Sequence, residues 1–328
     1  MMPRTSFVAP FASRETNTAD TRPLLVNQDG FDAASIGNPP ASLRHIGVVG
    51  LGLIGGSFAK AYADAGLQVY GADIDERSLA AATAEGSIVS ALDDKTVGEC
   101  DLILIALYPQ ATVDWLREMA PRISKDALVI DCGGVKRSIC PDCFALAERH
   151  GFTFLGGHPM AGTHRSGFRA ARSDLYAGSP MVLVPPPIYD PSVIARAQEA
   201  LSVVGFGSFS VTTPEMHDRL IAYTSQLAHI VSSAFVKSPT SQKHRGFSAG
   251  SYKDLTRVAE MNAPMWTELF LDNADNLVDE LDSVVEQLRL YREALASHDE
   301  ETLKALIEEG SVAKLKADGR FADAEVII

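Results

Sequence analysis

Six residues, Gly50-Leu51-Gly52-Leu53-Ile54-Gly55, constrain this chain more than any others. They follow an apolar run at 46–49 and open a helix-patterned segment at 57–65. In such a strand–turn–helix setting each glycine has a physical task. The first permits the tight turn, the second lets the backbone approach a pyrophosphate, and the third lets helix and strand pack closely. The free amides of the first helical turn, around Leu53 and Ile54, then face the negative charge. Asp73 closes the next apolar run at about the twenty-residue offset where a carboxylate grips the adenosine ribose hydroxyls. A carboxylate there repels a 2′-phosphate, so the predicted cofactor is NAD rather than NADP, although Arg77 is close enough in sequence to soften the preference. The predicted cofactor set is Gly50, Gly52, Leu53, Ile54, Gly55 and Asp73. A glycine turn that binds nothing is the alternative, and the strand, helix and acid together argue against it.

The texture on either side of this turn divides the chain in three. Residues 1–42 are polar, carry scattered Arg and Asp, and contain no apolar segment of signal-peptide type, so a disordered tail is expected. From 43 to 213, apolar runs at 45–49, 68–72, 101–107, 127–130 and 181–184 alternate with helical patterns, which predicts a mostly parallel sheet covered by helices. From 214 to 328 strand texture vanishes. Trp266, Leu269, Phe270, Leu277, Leu281, Val284, Val285, Leu288 and Tyr291 recur at steps of three and four, predicting one long helix from Met265 towards Ala296. A helix of that length outgrows a small domain and calls for a partner, so a homodimer through the helical half is expected. The predicted fold is an α/β Rossmann-like dinucleotide-binding domain followed by an all-α dimerisation and substrate domain.

Composition removes several function classes. Twenty-nine Lys and Arg against 42 Asp and Glu leave a net charge of −13, the wrong sign for a nucleic-acid binder. No apolar run reaches the roughly 18 residues of a membrane span. Four cysteines, at 100, 132, 140 and 143, are too bunched for a disulfide framework and suit a reducing cytoplasm. Cys140-Pro141-Asp142-Cys143 lacks a second pair at zinc spacing, so no metal is expected and the pair reads as a helix start with Pro141 in its first turn.

Two loci outside the glycine turn carry chemistry-bearing residues. His158 lies in Gly156-Gly157-His158-Pro159-Met160-Ala161-Gly162, a stretch that reads as a turn, and turns at strand ends are where open α/β sheets place their reactive groups. By itself a lone histidine is more often structural than catalytic. The second locus comprises Ser225-Gln226-Leu227-Ala228-His229 and Gly250-Ser251-Tyr252-Lys253-Asp254-Leu255-Thr256-Arg257. On a helix, Lys253 and Arg257 share a face, and Asp254 is within reach of Arg257. This is either a solvated charged face or a small basic patch that focuses an anionic substrate.

The segments GLGLIGG, HPMAG, SQLAH and GSYKDLTRVA, with Met265-Trp266 after them, resemble in order and spacing the prephenate dehydrogenase family of tyrosine biosynthesis, over roughly 44–300. The resemblance implies NAD as cofactor, prephenate as substrate, and an active site in the cleft between a Rossmann domain and a dimerising helical domain. It makes His158 the catalytic histidine, His229 a second active-site histidine, and Arg257 the arginine that holds a substrate carboxylate. Lys253, Asp254 and Gln226 would complete the substrate-binding surroundings. Three positions depart from the family pattern: Gly134 where serine is frequent, Gln226 where many members have histidine, and His164 where some carry glutamate.

The implied reaction is the oxidative decarboxylation of prephenate to 4-hydroxyphenylpyruvate, with arogenate dehydrogenase as the near alternative. A β-hydroxyacid dehydrogenase would share the outline, but its catalytic lysine typically has an asparagine four residues earlier, and here Ala249 precedes Lys253 at that spacing. A dinucleotide-sensing dimer without turnover is the non-enzymatic rival.

Overall fold

A computed structural model describes residues 24–26, 37–163 and 165–320 of the chain. Among them, one sheet contains β1 (Leu24–Val26), β2 (His45–Val49), β3 (Gln68–Ala72), β4 (Ser90–Ala91), β5 (Leu102–Ile105), β6 (Leu128–Asp131), β7 (Thr153–Pro159), β8 (Pro180–Val184) and β9 (Ser208–Val211). Their order across the sheet is β1-β9-β8-β7-β6-β5-β2-β3-β4. From β4 to β7 every pairing is parallel, as the alternating apolar runs and helices predict. Strands β5 and β6 are buried at every position, because helices cover both faces and leave no side for polar residues.

Helices α1 (Leu53–Asp64), α2 (Glu76–Ala84), α3 (Pro109–Met119), α4 (Cys140–His150) and α5 (Ser192–Leu201) supply that cover. Ile46, Val48, Phe58 and Tyr62 belong to one core, and Val49, Ile103, Ile105 and Leu116 to a second. Buried rings in the first core keep their polar ends satisfied: Tyr62 donates to the Ala200 carbonyl at 2.9 Å and Tyr176 to the Ile54 carbonyl at 2.6 Å. Cys140 and Cys143 open α4 as free, buried thiols with Pro141 in its first turn, the helix-start arrangement their spacing predicts.

Several expectations need correction. His158 does not lie in a turn; it is on β7 and pairs with Val182 of the antiparallel neighbour β8. The glycines before it serve close approach rather than chain reversal: a Cβ on Gly157 would come within 2.4 Å of the Asp131 carbonyl oxygen. The run at 181–184 is antiparallel to its neighbour β7, although β9 returns parallel to β8. Most of the expected tail falls outside the described residues, but Leu24–Val26 adds an antiparallel strand at the β9 edge.

The helical half contains α6 (Pro214–Ile221), a π-helical turn (Ala222–Leu227), α7 (Ala228–Val236), α8 (Gly250–Thr256), α9 (Ala263–Asp272), α10 (Ala274–Ser297) and α11 (Glu300–Ala317). The expected single helix from Met265 is two, α9 and α10, interrupted at Asn273, whose backbone leaves the helical region at φ −124°, ψ 25°. The apolar periodicity continues through the break, so hydrophobic pattern alone could not reveal it. What enforces the break is the buried Asn273 side chain, which is hydrogen-bonded to three neighbouring segments. Along α10, Val278, Val285, Leu288 and Leu295 form a row that is 52–61% exposed, an apolar face left uncovered by the described residues.

Candidate active site

The glycine turn has the geometry its sequence demands. Gly50 sits at φ +85°, and a Cβ at Gly55 would meet the Gly50 carbonyl oxygen at 1.9 Å, so neither position admits a side chain. Nothing lies within 4 Å of a Cβ built on Gly52, the N-cap of α1, which leaves a backbone cradle open beside the free amides of the helix start. That cradle fits a pyrophosphate. Asp73 reaches back to the turn, accepting from the Leu51 amide at 2.6 Å and from the Asp75 amide at 2.8 Å. Arg77, the candidate for offsetting a 2′-phosphate, is instead paired with Asp75 at 3.0 Å.

At the junction with the helical half, His158 Nδ1 lies 2.9 Å from His217 Nε2 of α6, and His217 Nδ1 lies 2.7 Å from Asp218 Oδ1. Thr213 caps α6 by accepting from the Met216 amide, which sets His217 and Asp218 in its first turn and a half. Burial raises the Asp218 carboxyl, but hydrogen bonds and charge from His217 and the backbone amides of Arg137 and Lys136 outweigh it and hold the group below its ordinary range. An ionised carboxylate only accepts, so His217 carries its proton on Nδ1 and offers a lone pair at Nε2. His158 must then donate from Nδ1, leaving its own Nε2 as a proton acceptor. Burial, then His217 and Lys136, hold His158 well below the ordinary imidazole range; burial also lowers His217.

Beneath this relay is a fully buried ion pair. Lys136 Nζ bonds Asp131 Oδ2, and Asp131 also accepts from the amides of Gly133 at 2.9 Å and Gly157 at 3.1 Å. The carboxylate thereby fastens β7 at the residue before His158. Breaking such a pair on one side leaves a buried charge uncompensated.

His229, on α7, forms a second locus. Its Nδ1 donates to the Ser225 carbonyl at 2.8 Å, and its ring lies over Trp266 with centroids 4.0 Å apart. Burial lowers its basicity, the Ser225 carbonyl opposes that shift, and the nearby Arg257 charge adds to the lowering. Arg257 follows α8 and is exposed, with no ion pair among the described residues. Its fork is therefore open to an anionic ligand.

Not every expected site residue is drawn in. His229 and Arg257 come together, and His158 gains partners in α6, but His158 and Arg257 do not meet directly. Lys253 and Asp254 lie exposed on α8, and the expected Asp254–Arg257 pairing does not form. Gln226, expected among the substrate-binding residues, points into the protein. It is 1% exposed, its amide nitrogen donates to the Leu269 carbonyl at 3.0 Å, and its oxygen accepts from Asn273 at 2.8 Å. The π-helical turn directs it into the core. Leu269 also covers Gly134, where an added Cβ would lie 3.3 Å from its side chain, so two of the departures from the family pattern meet on one leucine. His158 has His217 as its hydrogen-bond partner. His164 lies outside the described residues.

His217, Asp218, Asp131 and Lys136 escaped the reading of the sequence. The adjacent histidine and acid of Thr213-Pro214-Glu215-Met216-His217-Asp218, just inside a capped helix start at the end of the strand-rich half, were the signal available.

A dinucleotide turn at the carboxyl edge of a parallel sheet, together with a buried imidazole on another strand of that sheet hydrogen-bonded through a second histidine to a carboxylate, is the equipment of a nicotinamide-dependent oxidoreductase. Residues 58–208 match the family model for the nucleotide-binding domain of prephenate dehydrogenase, and residues 213–309 match the model for its dimerization domain. The chain belongs to the prephenate dehydrogenase family and uses NAD. Cyclohexadienyl dehydrogenase from Zymomonas mobilis is 30% identical over 282 residues, which is 83% of this chain and 95% of that protein. Prephenate dehydrogenase from A. aeolicus, solved with hydroxyphenyl propionate and NAD+, aligns with a TM-score of 0.72 at 27% identity over 84% of this chain and 98% of the other. Arogenate dehydrogenase from Synechocystis aligns with a TM-score of 0.69 at 26% identity, over 83% and 99% of the two chains.

Proposed function

We propose that this protein converts prephenate to 4-hydroxyphenylpyruvate and carbon dioxide, with His158 as the proton acceptor and Arg257 as the carboxylate anchor. The observation that carries this reading is the run of hydrogen bonds from Asp218 through His217 to His158, which leaves one imidazole lone pair for the substrate. NAD supplies the hydride acceptor. As hydride leaves the carbinol carbon, positive character grows there, and His158 Nε2 accepts a hydrogen bond from the ring hydroxyl to stabilise it. Asp218 and His217 hold the ring in the accepting tautomer, and Arg257 fixes one substrate carboxylate beside His229. Lys253 adds positive potential at the mouth of the site.

Arogenate differs only by an amino group in place of the side-chain keto group, so it would engage the same His158 and Arg257. The homodimer belongs to the same reading: the exposed row Val278, Val285, Leu288 and Leu295 offers an apolar seam, and the matched domain is described by its family as the one that dimerises. The cytoplasm is the proposed compartment, since the four cysteines are free thiols.

The test is direct. Purified protein, prephenate and NAD should produce NADH absorbance, with arogenate and NADP each run in parallel. Absence of reduced nucleotide from either substrate with either nucleotide would remove the proposal. Asp73 is the proposed nucleotide selector, and Asp73→Ser should narrow the NAD-over-NADP ratio of kcat/KM by about tenfold, equivalent to removal of roughly one charge-assisted hydrogen bond. An unaltered ratio would move the selection elsewhere.

A further inference from the structure

Arg137 has no part in the chemistry described above, yet it touches both the relay and the dimer-forming half. Its backbone amide donates to Asp218 Oδ2 at 2.9 Å, and its Nε stands 3.4 Å from the same oxygen. The far side of the guanidinium grips α10: Nη1 donates to Asp275 Oδ2 at 2.8 Å, and Nη2 donates to Asp275 Oδ1 and, at 3.0 Å, to Asn273 Oδ1. Asn273 closes the circuit. Its amide nitrogen donates to the Asp218 carbonyl at 2.7 Å and to Gln226 at 2.8 Å. One planar group thus spans three segments: the loop after β6, the first turns of α6, and the start of α10. Asp275 lies in the first turn of α10, three residues before Val278, where the exposed apolar row begins.

We infer that Arg137 is a positioning residue, which locks the Asp218 carboxylate onto His217 and ties that geometry to the seating of α10. Three features support this over a merely structural surface pair. The fork is bidentate, which specifies orientation as well as distance. Asn273 is buried and breaks a helix that apolar pattern would otherwise continue, so the local backbone is bent to serve this network. Ser138, next in sequence to Arg137, makes a parallel bond to Asp272 at 2.8 Å, so the loop is fastened on both sides of the break. Other charged groups face the relay: Lys136 and Asp131 from below, and Asp275 through Arg137. Among these charged groups, Arg137 is the one that joins the Asp218 carboxylate to α10.

The inference rests on the proposed role of His158, so the test has one arm that does not depend on turnover. In full-length protein, Arg137→Gln should lower kcat for prephenate by about ten- to a hundredfold, the scale of a misplaced reacting group, with KM within about twofold. Imidazole nitrogen NMR without substrate should show His158 and His217 in single tautomers in the unaltered chain and in mixed tautomers in the variant. Asp275→Asn should give the same spectral change more weakly, and combining it with Arg137→Gln should add little, as members of one network do. Unchanged kcat, or a lower kcat with unchanged histidine spectra, would overturn the inference. Should Arg137→Gln fail to fold, Asp275→Asn decides alone, because that carboxylate is exposed; unaltered histidine spectra there would also overturn it. An unaltered chain inactive on prephenate would defeat the functional reading and leave the spectral arm intact.

Discussion

Replacing His158 by asparagine should lower kcat by about 10²- to 10⁴-fold while NAD affinity stays within about twofold, because general-base help of this kind is worth that much and the dinucleotide turn lies on other strands. An asparagine amide can still donate towards His217, so the relay keeps a partner, but it presents no basic lone pair to the ring hydroxyl. Turnover that survives the substitution would remove His158 from the mechanism. The same side chain predicts a pH profile. Burial and His217 hold its basicity below that of a free imidazole, so the accepting form persists as pH falls, and the acid limb of kcat/KM should lie below about 6.5. Stability follows pH in the same direction. With a folded-state pKa below the unfolded value, the unfolded chain binds more protons, so stability falls as pH drops through about 6.5 towards the folded value. His217 adds to this with the same sign. Denaturant midpoints measured at pH 7.5 and pH 5.5 should therefore differ less in His158→Asn than in the unaltered chain. An equal difference would show that His158 is not among the groups responsible.

Arg257→Ala should raise the KM for prephenate by about 30-fold or more, since removing a charge-assisted hydrogen bond costs about 2 to 4 kcal/mol. Its guanidinium is free of ion pairs among the described residues and lies near His229, so no protein carboxylate has to be displaced when a ligand carboxylate arrives. If the interaction is equal in ground and transition states, kcat should change little. Arg257→Lys should fall between the two, retaining charge but losing the planar fork. An unchanged KM in the alanine variant would place the anion site elsewhere. His229 offers a control: its Nδ1 is committed to Ser225, so any substrate contact must use Nε2.

Much of the cofactor half was legible before any coordinates. Gly50, Gly52 and Gly55 are constrained by local backbone geometry, and Asp73 follows β3 directly and reaches the turn, so their spacing along the chain already brings them together in space. The substrate half was less so. Motif resemblance singled out His158, His229 and Arg257, but glycine neighbours made His158 look like a turn residue, when close packing of β7 against β6, β8 and the start of α4 is what requires those glycines. Gln226 looked available from its position beside His229, yet the π-helical turn rotates it into the core, and a change of helical phase leaves no mark in the apolar pattern.

What the sequence by itself determined, then, is the set of short-range decisions: a dinucleotide turn, a carboxylate beside it, alternating strands and helices, and a second half without strands. Each follows from steric or periodic rules that operate within about twenty residues. Tertiary structure alone decided which groups brace the His158 imidazole. His158 meets His217 across 59 residues of chain, Asp218 receives the amides of Lys136 and Arg137 from 82 and 81 residues away, and Asn273 breaks a helix to reach Arg137 from 136. Partners so distant are chosen by how the sheet and the helices pack together, and the basicity of an imidazole depends on who those partners are.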